Sequence, residues 1–162
     1  MYNNGESFGF ITGKIKEIKV GLFKSEINSE LLLPNNVIQV LRVDDDGHLW
    51  FFTSCNGRQA ANINRTFYAY LDFHKRGTDS RLLLNGTANI IDEEGDVDAL
   101  ITQSNYSKTI ASSLVLVKMK IMQAEYFEGH ETAKNISWKD RIFNSFSNLF
   151  SDNNNHRVYD FG

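Results

Sequence analysis

The sequence predicts a mainly β protein, a closed or nearly closed antiparallel barrel with peripheral helices, and three observations support this. About six extended stretches follow one another at short spacing, separated by turn residues such as Asp46 with Gly47, and later Gly77. Residues 66–73 alternate, with Phe67, Ala69, Leu71 and Phe73 on one side and Tyr68, Tyr70 and Asp72 on the other, as a half-buried strand does. Only a few small helical segments accompany the strands, which argues against a parallel sheet. Closure of the barrel removes exposed edges, a benefit for strands this apolar.

From Ile11 the apolar residues fall at Ile15, Ile18 and Leu22, which predicts a short amphipathic helix with Lys14, Lys16, Glu17 and Lys19 on its wet face. Residues 20–27 alternate as a strand, and Asn28 with Ser29 supplies a turn. Pro34 cannot donate to a sheet ladder, so residues 33–36 belong to an edge, bulge or turn, with pairing resuming near Val37 and running to Val43. An acidic turn around Asp46 and Gly47 leads into the aromatic strand that ends at Thr53 and Ser54. Residues 58–64 suffice for about two helical turns. After the alternating strand, residues 74–80 form a loop, and 81–91 a strand in which Gly86 marks a bulge or a close backbone approach. Residues 92–96 read as an acidic turn, 97–102 as a helix and 114–122 as a long apolar strand. Trp138, Ile142, Phe146, Leu149 and Phe150 recur at helical spacing behind a Ser137 N-cap. This helix is expected to dock on the barrel or on a partner subunit, followed by a loop or disordered tail from residue 153. The resulting division is a barrel domain over residues 1–129 and a helical C-terminal segment with its tail over 130–162.

A chain of 162 residues fits one domain. Its net charge of -3 gives no general attraction to nucleic acid. The single cysteine, Cys55, excludes an intramolecular disulfide and a multi-cysteine zinc site within one chain. A reducing compartment follows from that, and with no long apolar run and no basic leader the expected location is cytoplasmic. The four histidines, His48, His74, His130 and His156, lack metal-ligand spacing. Asp44, Asp45 and Asp46 lack the alternating ligands of a calcium loop, and turn chemistry explains them. Cys55 reads as a small packing residue. Trp50 and Phe51 alternate in facing, one into the core and the other toward a cleft or a partner subunit, with core packing the default for both.

The segment 43–58 carries the chemistry. Thr53 and Ser54 place two hydroxyls at a strand end, Arg58 supplies a cation just beyond, and a helix start would add free amide groups. Small donors, a positive side chain and a helix N-terminus suit a phosphate. An ordinary hairpin with polar residues at its exit is the alternative reading of the same residues.

Four segments in order, LRVDDDGHLWFFTS, RTFYAYLDF, LLLNGTANIIDEEG and VLVKMKIMQAEYFEG, resemble the flavin-mononucleotide-binding split barrels related to pyridoxamine 5'-phosphate oxidase, especially the general stress protein 26-like branch. The resemblance covers residues 11–129. It implies a homodimer with flavin mononucleotide (FMN) in the cleft between two barrels. It also implies phosphate contacts from the strand-end hydroxyls and from Arg58 and Gln59, an aromatic-threonine pair at Phe52 and Thr53, and ring contacts along Asn36, Val37 and Ile38. Arg81 matches a position that contacts the flavin across the dimer. Three departures accompany the match: Asn36 replaces an arginine, Gln59 replaces a second cation, and Leu41 replaces the lysine that meets the substrate's phosphate in the oxidases. Pyridoxamine phosphate is therefore a poor candidate substrate. The resemblance implies hydride transfer through FMN to or from a small molecule, with a flavin-binding or cofactor-free protein without turnover, or a haem-binding relative, as alternatives. No side chain identifies itself as a general acid or base.

Overall fold

In a computed structural model the described residues are 4–26, 33–55, 66–91, 94–103, 114–129 and 156–162. The chain opens with helix α1 (Asn4–Ile18), whose Ile11 and Ile15 are buried in the main core. Glu6 in the first turn and Lys16 in the last suit the helix dipole. Lys19 ends the helix in the left-handed region, at φ 64°, while its N–H still reaches the Ile15 carbonyl at 2.8 Å, an αL cap made without glycine. Leu22, expected on the helix, therefore lies in the first strand.

Strands β1 (Val20–Ser25), β2 (Asn36–Val43), β3 (His48–Ser54), β4 (Phe67–His74), β5 (Arg81–Ile91) and β6 (Leu114–Phe127) are all antiparallel to their neighbours. Their order is β3-β2-β1-β4-β5-β6, and the β3–β6 pairing closes the barrel. Phe23, Ile38, Leu49, Phe51, the β4 row Phe67, Ala69, Leu71 and Phe73, and Leu82, Val117 and Met119 all join one core cluster. The sequence alternation of β4 reappears as strict alternation of burial. On β3 both faces are covered: Leu49 and Phe51 belong to the main core, whereas Trp50 and Phe52 form a second cluster with Leu116 and with Leu100 of helix α2 (Glu94–Gln103). Trp50 thus packs under a helix of its own chain.

Two expectations at element ends need correction. Helix α2 begins at Glu94, inside the stretch read as an acidic turn, because acidic residues suit turns and helix starts alike. The tail read as loop contains strand β7 (His156–Asp160), paired with β6 from Gln123 to Phe127. Val158 and Tyr159 suit a strand, but five residues are too few to show an alternating pattern; the free edge of β6 supplies the partner. Strand β6 is correspondingly longer than residues 114–122. It pairs with β3 up to Lys120 and with β7 from Gln123, and the register against β5 shifts between Asn85 and Gly86, opposite this handover. There the Ile121 N–H reaches the Gly47 carbonyl and the Phe161 N–H reaches that of Met122. The expected helices at 58–64 and 138–150 and the turn at Asn28 and Ser29 lie outside the described residues.

Candidate functional site

Two residues expected at a phosphate, Thr53 and Ser54, meet Asn36, expected along the flavin ring, where β2 begins and β3 ends. The Asn36 amide nitrogen donates to Ser54 Oγ at 2.8 Å and approaches Thr53 Oγ1 at 3.5 Å. Pro34 keeps the preceding chain out of the ladder, so Asn36 opens β2 with its side chain available to the neighbouring strand end. Ser54, the last residue of β3, is half-buried, whereas Thr53 is 0% exposed. Ile38 lies in the main core and Phe52 beneath α2, so only their backbones can face a ligand. Val37 is 65% exposed. Arg58 and Gln59 lie outside the described residues.

Arg81 stands apart from this cluster within one chain, since β5 is three strands from β2 in the order β2-β1-β4-β5. Its Nε donates to Asp72 Oδ1 at 2.9 Å and its Nη2 to Oδ2 at 2.5 Å, a two-point grip across the β4–β5 hairpin. Those hydrogen bonds, with the guanidinium charge, hold the Asp72 carboxyl below its ordinary value and raise that of Arg81. A carboxyl depressed in the folded state stabilises the fold above its unfolded pKa and loses that contribution as pH falls through the folded one. Asp72→Asn is therefore expected to lower stability by about 1 kcal/mol at most near neutral pH, because the pair is partly solvated. In thermal melts the gap to the wild type should close as pH falls below about 4; a gap that persists in acid would show that the pair does not carry the effect.

The acidic turn serves the hairpin. The Gly47 N–H bonds the Asp44 carbonyl at 3.1 Å, and Gly47 has φ 87°, a conformation glycine accepts without strain. Asp44 accepts the Trp50 indole N–H at 2.7 Å and pairs with Arg42 at 2.7 Å, while Arg42 and Lys118 stand over the Trp50 ring. His48 lies 2.9 Å from Asp46, and its hydrogen bond is the main reason the Asp46 carboxyl is lowered. No group of three or more metal-binding side chains occurs among the described residues. Cys55 is half-buried and packs against the main core, in keeping with a packing role. Leu41, at the register shift between Val40 and Arg42, packs against the cluster under α2. A cavity of about 250 Å³ lies by Gly47, Lys120 and Phe161, at the opposite end of β3 from Ser54. It is smaller than the usual volume of a drug-sized ligand's site.

The resemblance implies for Asn36 a flavin contact without an arginine's charge; its bond to Ser54 is not legible in the sequence. Asn36 and Ser54 are 18 positions apart, and the register that joins them is a property of the folded sheet.

Residues 11–142 match the family model described as pyridoxamine 5'-phosphate oxidase like, and the chain belongs to that family. Solved structures show the same split-barrel fold. A Clostridium acetobutylicum protein related to general stress protein 26, of the pyridoxinephosphate oxidase family, is 10% identical over 80% of this chain and 96% of its own, with TM-score 0.56. The general stress FMN/FAD binding protein of Xanthomonas citri is 16% identical over 80% and 92%, with TM-score 0.52. A pyridoxamine 5'-phosphate oxidase-related, FMN binding protein of Nostoc punctiforme PCC 73102 is 10% identical over 95% of each chain, with TM-score 0.50. A comparison with curated proteins gave no significant match.

Proposed function

We propose that this chain is an FMN-binding split-barrel flavoprotein, active as a homodimer with the cofactor at the subunit interface, and that it passes hydride to or from a small molecule. The observation that carries this reading is the meeting of Asn36 and Ser54, with Thr53 behind them, at the strand ends where the family resemblance puts the flavin phosphate. Bound flavin would supply the hydride chemistry. The chain's own part is to hold it: Ser54 and Arg58 on the phosphate, with Gln59 beside them, the backbone of Val37, Ile38 and Phe52 along the ring, and Arg81 from the partner subunit. No helix among the described residues is long and apolar enough to cross a membrane, and a cytoplasmic location is proposed from the cysteine usage.

The Asn36 amide is neutral, and Leu41 is committed to packing under α2 instead of offering a cation to a substrate. Both features favour a second reading, a flavin-binding protein without turnover. Titration of purified protein with FMN, followed by reduction with a nicotinamide donor, separates the two. The expected results are a bound-flavin absorbance spectrum and a loss of about tenfold or more in FMN affinity for Arg58→Ala, the scale of a hydrogen bond to a charged group. Protein that stays colourless and does not respond to FMN would refute both readings.

A further inference from the structure

In the Asn36–Ser54 hydrogen bond the amide nitrogen gives and the hydroxyl oxygen receives, at 2.8 Å. A serine hydroxyl has one proton and two lone pairs. With a lone pair engaged by Asn36, the proton remains for an acceptor elsewhere, and Ser54 is only half-buried at the end of β3. Thr53, in contrast, is 0% exposed, and its oxygen lies 3.5 Å from the same amide, at the limit of a hydrogen bond.

We propose that Ser54, and not Thr53, is the hydroxyl that donates to the phosphoryl oxygen of bound FMN, and that Asn36 is the positioning residue that sets the direction of this donation. The inference rests on the flavin reading above. Because the amide carries no charge, Asn36 contributes orientation: it turns Ser54 into an outward donor and so favours a phosphorylated over an unphosphorylated flavin. A carboxylate at the same position would accept only, and would draw the Ser54 proton inward.

The test compares FMN with riboflavin, which lacks the phosphate, for the wild type, Ser54→Ala, Asn36→Ala, Asn36→Asp, Thr53→Val and the double variant Asn36→Ala with Ser54→Ala, each checked for folding by thermal melting. Ser54→Ala and Asn36→Ala are each expected to weaken FMN about tenfold with riboflavin unchanged, and the double variant is expected to fall no further than either single one. Asn36→Asp, which keeps the side-chain shape, should also lose the preference for FMN, and Thr53→Val should keep it. Additive losses in the double variant, a preference retained in Asn36→Asp, or one abolished by Thr53→Val while Ser54→Ala keeps it, would overturn the inference and leave the flavin reading standing. A wild type that binds FMN no better than riboflavin, or neither, would overturn the phosphate reading itself and this inference with it.

Discussion

Gly86→Ala is expected to destabilise the barrel by about 3 kcal/mol, a large share of the roughly 5–15 kcal/mol that keeps a domain folded. Gly86 is buried on β5 opposite the handover on β6, and a Cβ there would overlap the Lys120 carbonyl oxygen, lie 2.9 Å from its carbon and 3.1 Å from the Met122 nitrogen. Backbone atoms cannot rotate away as a side-chain tip can, so β5 and β6 would have to separate. Such a separation disturbs the place where β6 exchanges β3 for β7 as its partner. Urea unfolding should show a lower midpoint with an unchanged slope. Gly13→Ala is the control: Gly13 lies within α1 with nothing near its missing Cβ, and alanine there should be neutral or stabilising by up to about 1 kcal/mol. A wild-type midpoint for Gly86→Ala would mean that β5 and β6 do not approach this closely.

Gly86 was legible in the sequence because a glycine inside a strand pattern has few uses, and both suggested uses are found at once, a register shift and a close backbone approach. The β4 row was legible for a similar reason: a period of two over eight residues leaves one assignment of faces. What could not be read depends on which strand lies beside which. Strand β7 exists because β6 offers an edge, and Arg81 finds Asp72 through the β4–β5 register. The Asn36–Ser54 bond likewise requires the β2–β3 pairing. Local pattern predicts which face of a strand is apolar; it does not predict the neighbour's identity, and candidate sites are built from neighbours. Leu41 makes the same point. Its substitution for a lysine was visible in the sequence, but its packing under α2 follows from the shift between Val40 and Arg42.

Phe51→Ala is expected to cost about 3–5 kcal/mol, the range for removing a fully buried phenylalanine. The ring is 0% exposed and packs against Phe23 at 5.2 Å between centroids. Its strand pairs on one side with β2 and on the other with β6, so the void would open at the seam that closes the barrel. Neighbouring Phe52 is almost as buried but faces the cluster shared with Leu100 and Leu116. Phe52→Ala should therefore loosen α2 first, whereas Phe51→Ala should lower the midpoint for the barrel as a whole. Hydrogen exchange resolves the two: amides of α2 lose protection selectively in Phe52→Ala, and those of β3, β2 and β6 lose it together in Phe51→Ala. Ser54 closes the same strand, so a barrel loosened at Phe51 should also hold FMN less firmly. If Phe51→Ala unfolds no earlier than the wild type, the assignment of this ring to the barrel interior is wrong, and with it the alternation that places Ser54 at the mouth of the proposed site.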